Sequence, residues 1–237
     1  DEKTIAEVLR TKGYKSAVVG KWHLGTHPNF HPLNRGFDYF YGFLSGGHNY
    51  FMNQLTIENL ENVKSKWAWY RTKLKENHKT LEFEDYKTDY LTDELSEAAL
   101  RFIDKQAKSD QAFFLFLAYN APHTPMHATE KYLSRFPEIQ DTKRKTYAAM
   151  VSAVDDGVGN VLRVLKDNGI EENTLIVFLS DNGGAHNNAS SNAPLSGLKG
   201  DVYEGGLRVP FAIQWKGLIP ANTKYEESVS SLDIMAI

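Results

Sequence analysis

The sequence predicts an α/β fold: an open, doubly wound, mostly parallel sheet flanked by helices. Three observations carry this. The runs "SAVVG", "AFFLFLAYN" and "TLIVFLSDN" are short and continuously apolar, the pattern of strands covered on both faces. Segments with helical apolar spacing alternate with them. No internal repeat or low-complexity linker interrupts the alternation, so a single α/β domain over 1–237 is expected. In such sheets ligands bind beyond the carboxyl ends of the strands.

The elements follow in order. "TIAEVLRTKGY" offers Thr4 as N-cap and Glu7 three residues on, a capping box, with Ile5, Val8 and Leu9 on one face and Gly13 as the stop. This short helix feeds the strand "SAVVG". Residues 49–89 are aromatic and mixed in charge with weak periodicity, which predicts an excursion over the rim of the sheet. "LTDELSEAALRFIDKQAK" places Leu95, Ala99, Phe102 and Ile103 on one helix face. "KTYAAMVSAVDDGVGNVLRVLKDNG" does the same with Tyr147, Met150, Val151, Val154, Val158, Val161, Leu162 and Leu165. The aspartates of "VDDGVG" fall inside that helical pattern and are expected on a helix face. "RVPFAIQWKG" reads as a strand near an edge, because Pro210 has no N–H to donate to a ladder.

Composition narrows the function. With 41% apolar residues the chain can bury a substantial core. Its 27 basic and 30 acidic residues are well mixed, so no basic face points to nucleic acid. No apolar run approaches the roughly 20 residues of a membrane helix. The chain has no cysteine, which excludes disulfides, thiolate metal sites and a cysteine nucleophile within it and leaves the compartment open.

The predicted strand ends carry ionisable groups. "SAVVG" delivers Lys21 and His23, "AFFLFLAYN" delivers His123 and His127 in "APHTPMH", and "TLIVFLS" delivers Asp181, Asn182 and His186 in "DNGGAHNN". A glycine-rich stretch carrying Lys199 follows. One such residue is ordinary turn chemistry; together, on one rim, they make a site. Asp181 and Asn182 offer hard oxygen donors suited to Ca²⁺, with Mg²⁺ as the other candidate. Lys21 and Lys199 can neutralise anionic oxygens, and His23 and His123 titrate near neutrality and can move protons. Cation, lysines and histidines around an oxyanion point to hydrolysis of a sulfate or phosphate ester. Ser45 and His48 of "GFLSGGHNYF" are candidate substrate-pocket residues, with a Gly-Gly turn and a surface histidine as the other reading. Trp22, between two site residues, is expected to point the opposite way, into packing.

"GYKSAVVGKWHLG" resembles the second signature of the type I sulfatases, and the order "GKWHLG", "NRGFDYFYGF", "APHTP", "SDNGG", "GLKG", "EGGLRVP" is similar to that family throughout. The resemblance implies an alkaline-phosphatase-like fold and hydrolysis of sulfate esters, carbohydrate or aryl, by a formylglycine hydrate beside a divalent cation, usually Ca²⁺. It implies cation ligation by Asp181 and Asn182, and sulfate binding by Lys21 and Lys199. His23 matches the histidine that takes a proton as the formylglycine aldehyde is regenerated, and His123 the candidate general acid near the leaving oxygen. It also implies a secreted, periplasmic or lysosomal parent.

The departures bear on activity. The family's paired metal-binding aspartates and its Cys or Ser in a "CxPxR" or "SxPxR" setting have no counterpart here; they are expected N-terminal to Asp1. The smaller C-terminal subdomain is likewise expected beyond "LDIMAI". The chain alone is therefore expected to be inactive and to bind calcium weakly, and its sheet to offer an exposed surface through which copies could pair into a homo-oligomer. A phosphodiesterase or phosphonate hydrolase of the same superfamily, and a non-catalytic anion- or sugar-binding fragment, remain as alternatives.

Overall fold

A computed structural model describes residues 2–65 and 67–236. In chain order the elements are α1 (Ile5–Arg10), β1 (Lys15–Lys21), β2 (Tyr39–Phe43), β3 (Lys75–Glu76), β4 (Lys79–Thr80), α2 (Leu91–Ala107), β5 (Phe113–Ala118), α3 (Glu130–Leu133), α4 (Thr142–Asp167), β6 (Ile176–Leu179), α5 (Glu204–Leu207) and β7 (Phe211–Gln214). The main sheet has the order β4-β3-β2-β1-β5. Its three longer strands are parallel: Val18 lies opposite Phe40 of β2 and Phe116 of β5.

Alternation along β1 builds the two faces. Val19 joins Tyr41, Leu95, Ala99 and Met150 in the larger core, under α2 and α4. Val18 joins Ala6, Trp22, Phe37 and Phe40 on the opposite face, which α1 covers. The capping box of α1 is formed as expected: Glu7 N–H donates to Thr4 Oγ1 at 3.1 Å and Thr4 N–H to Glu7 Oε2 at 2.7 Å. The α2 face is also as expected, with Leu95, Ala99, Phe102 and Ile103 all buried.

Three expectations are revised. Of the three apolar runs only β1 is buried on both faces, as is its neighbour β2; Phe116 of β5 and Phe178 of β6 are 44% and 46% exposed, each strand lying at the edge of its sheet. β6 does not join the main sheet. It pairs antiparallel with β7 in a separate ribbon, where Pro210 serves as acceptor from Ser180 N–H. The excursion over 49–89 is not purely a rim loop, since β3 and β4 form a hairpin that extends the sheet beside β2. In α4 the buried face is Ala149, Met150, Ala153, Gly157 and Leu165, and the wider valine stripe leaves Val151 and Leu162 partly exposed. Small residues let α4 approach α2 closely: Gly157 has no room for a Cβ beside Ser96 and Tyr119. Asp155 and Asp156 lie within α4, and Asp156 pairs with Arg135 at 2.8 Å.

Candidate active site

The site begins where β1 ends. Gly20 sits at φ +112°, and a Cβ there would collide with the Ala118 carbonyl of β5; Gly42 of β2 meets the Gly20 carbonyl in the same way. Only glycine permits this close approach and backbone conformation. The strands deliver Lys21, half-buried, just past that point. Trp22 turns inward, its ring edge-on to Phe37 at 5.7 Å and its indole N–H donating to Phe30 O at 2.7 Å. His23 follows at φ 53°, a left-handed conformation uncommon for a non-glycine residue, and its exposed imidazole rests on Gly46.

His123 comes from the loop after β5. Its Nδ1 lies 2.7 Å from Thr124 O, a carbonyl that can only accept, so Nδ1 carries the proton and Nε2 is left for other chemistry. The His123 carbonyl is held in turn by the Tyr50 hydroxyl at 2.8 Å.

The loop after β6 supplies Asp181, exposed, and Asn182, whose Nδ2 donates to Gly183 O at 3.0 Å and leaves Oδ1 as an acceptor. Gly183 packs directly on Gly205, so the "DNGG" and "EGG" motifs meet backbone to backbone. Lys199 is fixed by its own N–H, which donates to Gly184 O at 3.0 Å. Asn192 clamps this arrangement: its Oδ1 accepts from Gly184 N–H at 2.8 Å, and its Nδ2 donates to Gly184 O and Gly197 O at 3.1 and 3.0 Å. Glu204 and Arg208 pair at 3.6 Å, but both are exposed and the pair contributes little.

Electrostatics show that these groups share one place. Burial lowers the pKa of Lys21, with Asp181 opposing and Lys199 reinforcing the shift. Burial also lowers His23, helped by Lys21, Lys199 and His123 and opposed by Asp181. Burial lowers His123 again; the Thr124 carbonyl opposes it, and the charges of Lys21 and Lys199 add to it. Two lysines face one carboxylate, so the cluster attracts an anion. Burial favours the neutral form of both histidines, and each keeps a ring nitrogen that can gain or lose a proton.

The donor set fits a hard divalent cation only in part. Asp181 and Asn182 contribute two oxygens of the roughly six to eight that calcium takes. No cluster of three or more His, Cys, Asp or Glu occurs among the described residues. Ser45 and His48 lie beneath the rim and do not face solvent. Ser45 Oγ donates to Gly47 O at 2.9 Å, and the fully buried His48 has Nε2 2.7 Å from Thr72 O and Nδ1 3.0 Å from Asn49 O. His127 is half-buried and stacks on Phe51 at 5.4 Å, whereas His186 is exposed.

A family model described as sulfatase matches residues 1–236. N-acetylgalactosamine-6-sulfatase of Canis lupus familiaris is 34% identical over 98% of this chain and 43% of its own length. The sulfatase YdeN of Escherichia coli is 34% identical over 98% of this chain and 42% of its own. Among solved structures, Ps i-CgsB in complex with k-i-k-neocarrahexaose superposes with a TM-score of 0.90 at 43% identity, covering 98% of this chain and 51% of that one. PsFucS1 sulfatase from Pseudoalteromonas sp. gives a TM-score of 0.72 at 28% identity, over 92% of this chain and 46% of that one. The chain thus spans less than half the length of these curated relatives. With a sulfatase match along nearly its whole length, the chain belongs to the sulfatase family of sulfuric ester hydrolases, within the alkaline phosphatase superfamily.

Proposed function

We propose that the full-length protein hydrolyses sulfate esters of a carbohydrate at the rim formed by Lys21, His23, His123, Asp181, Asn182 and Lys199. The observation that carries this reading is the convergence of Lys21, His23 and His123 on one place, where burial lowers the pKa of all three and the charges of Asp181 and Lys199 act on each of them. A singly charged sulfate ester, bound between Lys21 and Lys199, offsets that excess positive charge. The sugar assignment is supported by the relatives: one is named for N-acetylgalactosamine 6-sulfate and another was solved with a neocarrahexaose.

The family uses a formylglycine and a divalent cation, which together supply the nucleophile and polarise the sulfate when present. The chain's own residues do the rest. Lys21 and Lys199 hold the sulfate oxygens and stabilise charge that grows as the ester bond breaks. His123, its ring fixed by the Nδ1–H bond to Thr124 O, carries a proton on Nε2 to the leaving oxygen. Its lowered pKa makes that proton easier to release. His23 takes up a proton during turnover. Asp181 and Asn182 would hold the cation through their side-chain oxygens, and Ca²⁺, tolerant of irregular oxygen sets, is the better match. The 237 residues contain no cysteine and no serine in an "SxPxR" or "SxAxR" setting, so the chain on its own is expected not to turn over.

The test is to assay the full-length protein on 4-nitrophenyl sulfate, 4-nitrophenyl phosphate and a neocarrahexaose. Sulfate release that falls about a hundredfold or more in His123→Ala is expected. Preference for the phosphate ester overturns the reading in favour of a phosphohydrolase.

A further inference from the structure

Three aromatic side chains stand together at the edge of the site with no role in the core. Trp67 and Trp69 are 58% and 39% exposed, and both approach Tyr70. Ring centroids are 5.8 Å apart for Trp67 and Tyr70, 6.1 Å for Trp69 and Tyr70, and 6.5 Å for the two tryptophans. Two of the chain's 4 tryptophans thus fall within three positions, on the surface. Exposed aromatic area is costly to leave in water, and a contiguous patch of it marks a binding surface.

The patch is tied to the reaction rim by two adjacent glycines. Gly46 has no room for a Cβ because the His23 imidazole lies on it, and Gly47 has none because the Tyr70 ring lies on it. One peptide unit therefore separates the contact with His23 from the contact with Tyr70. The link is rigid: Asn49 N–H donates to Tyr70 O at 2.8 Å, Ile57 N–H to Arg71 O at 2.9 Å, and buried His48 holds Thr72 O at 2.7 Å. Ser45 and His48 thus act as supports that fix the patch against the site.

We propose that Trp67, Trp69 and Tyr70 form a stacking subsite for a pyranose ring of a sulfated oligosaccharide, next to the sugar that carries the cleaved ester. The proposal rests on the carbohydrate-sulfatase reading of the rim. Indole and phenol faces present flat apolar area to the C–H face of a pyranose, while hydroxyl and sulfate groups at the ring edge stay in water. The two indole planes lie at 71° and each is tilted on Tyr70, so the rings brace one another and a single exposed face can take the sugar with little loss of conformational freedom. A small aryl sulfate carries no second sugar ring to stack there, so the subsite distinguishes chain substrates from small ones.

The test compares wild type with the double variant Trp67→Ala, Trp69→Ala in the full-length protein. Tyr70 is kept because it packs on Gly47. The expected result is a loss in kcat/KM on the neocarrahexaose that exceeds the loss on 4-nitrophenyl sulfate by about tenfold, carried by KM. The pair Trp67→Phe, Trp69→Phe, which keeps flat faces, recovers most of it. Equal losses on the two substrates overturn the subsite while leaving the sulfatase reading intact. Should wild type cleave neither ester, the enzymatic reading fails, and tryptophan fluorescence with the desulfated hexasaccharide decides the subsite by itself. Quenching in wild type that is lost in the alanine pair supports it, and no quenching in wild type overturns it.

Discussion

The imidazole of His23 lies against Gly46 so closely that the glycine has no space for a Cβ. Gly46 does not have a left-handed φ, so alanine is acceptable to its backbone. The clash in Gly46→Ala falls on an exposed side chain, which can swing away. Stability is expected to change by less than about 1 kcal/mol, while His23 leaves its place and turnover drops by about ten- to a hundredfold. Thermal melts and steady-state kinetics on the full-length protein check both halves. Unchanged kcat would remove His23 from the reaction.

Gly20 gives the opposite result. Its φ of +112° and its contact with the Ala118 carbonyl are both backbone constraints, so nothing flexible can yield. Gly20→Ala is expected to destabilise by about 3 kcal/mol or more, or to prevent folding. A chemical denaturation midpoint near that of wild type would mean that the three strands are not packed this closely.

Lys199 lowers the pKa of both His23 and His123, although burial is the larger cause in each case. Removing its charge in Lys199→Gln therefore raises both values and protonates His123 at higher pH. The limb of the pH–rate profile that requires protonated His123 is expected to move to higher pH, along with a loss of about a hundredfold in kcat from weaker charge stabilisation. A lowered rate with an unmoved limb would separate Lys199 from the histidines.

Calcium binding tests the donor count. With Asp181 and Asn182 as the candidate ligands, calorimetric titration of the 237-residue chain is expected to give a dissociation constant of about a millimolar or weaker. Asp181→Asn should abolish the residual heat. Micromolar affinity would mean that further oxygens of this chain converge there.

What could be read beforehand follows from how far each signal travels along the chain. Lys21, His23, His123 and Asp181 were legible because an apolar run marks a strand and the next polar residues must leave its carboxyl end. An apolar run does not encode its partner, and so β6 was expected in the parallel sheet although it pairs with β7. Asn192 left no trace, since it acts through backbone groups of Gly184 and Gly197, and any loop offers such groups. The aromatic patch was hidden in a segment without periodicity. Ser45 and His48 were legible as a polar turn, but burial is set by what the chain lays over them from 69–72.

His48 offers the last test, because its burial couples folding to pH. Burial is the dominant cause that lowers its pKa from 6.5 to about 4, against the opposing pull of the Asn49 and Thr72 carbonyls. The folded protein thus keeps His48 neutral where the unfolded chain would protonate it. The stabilisation is complete above the unfolded value and is lost as pH falls toward the folded one. Linkage gives a loss of about 2 kcal/mol between about pH 8 and about pH 5 from this residue. Other lowered histidines, His31 and His127 among them, add to the total slope, so the informative comparison is with His48→Gln. Glutamine can still donate to Thr72 O and does not titrate. Urea midpoints at the two pH values should converge in this variant by the His48 share, and an unchanged slope would place His48 in contact with water in the folded protein.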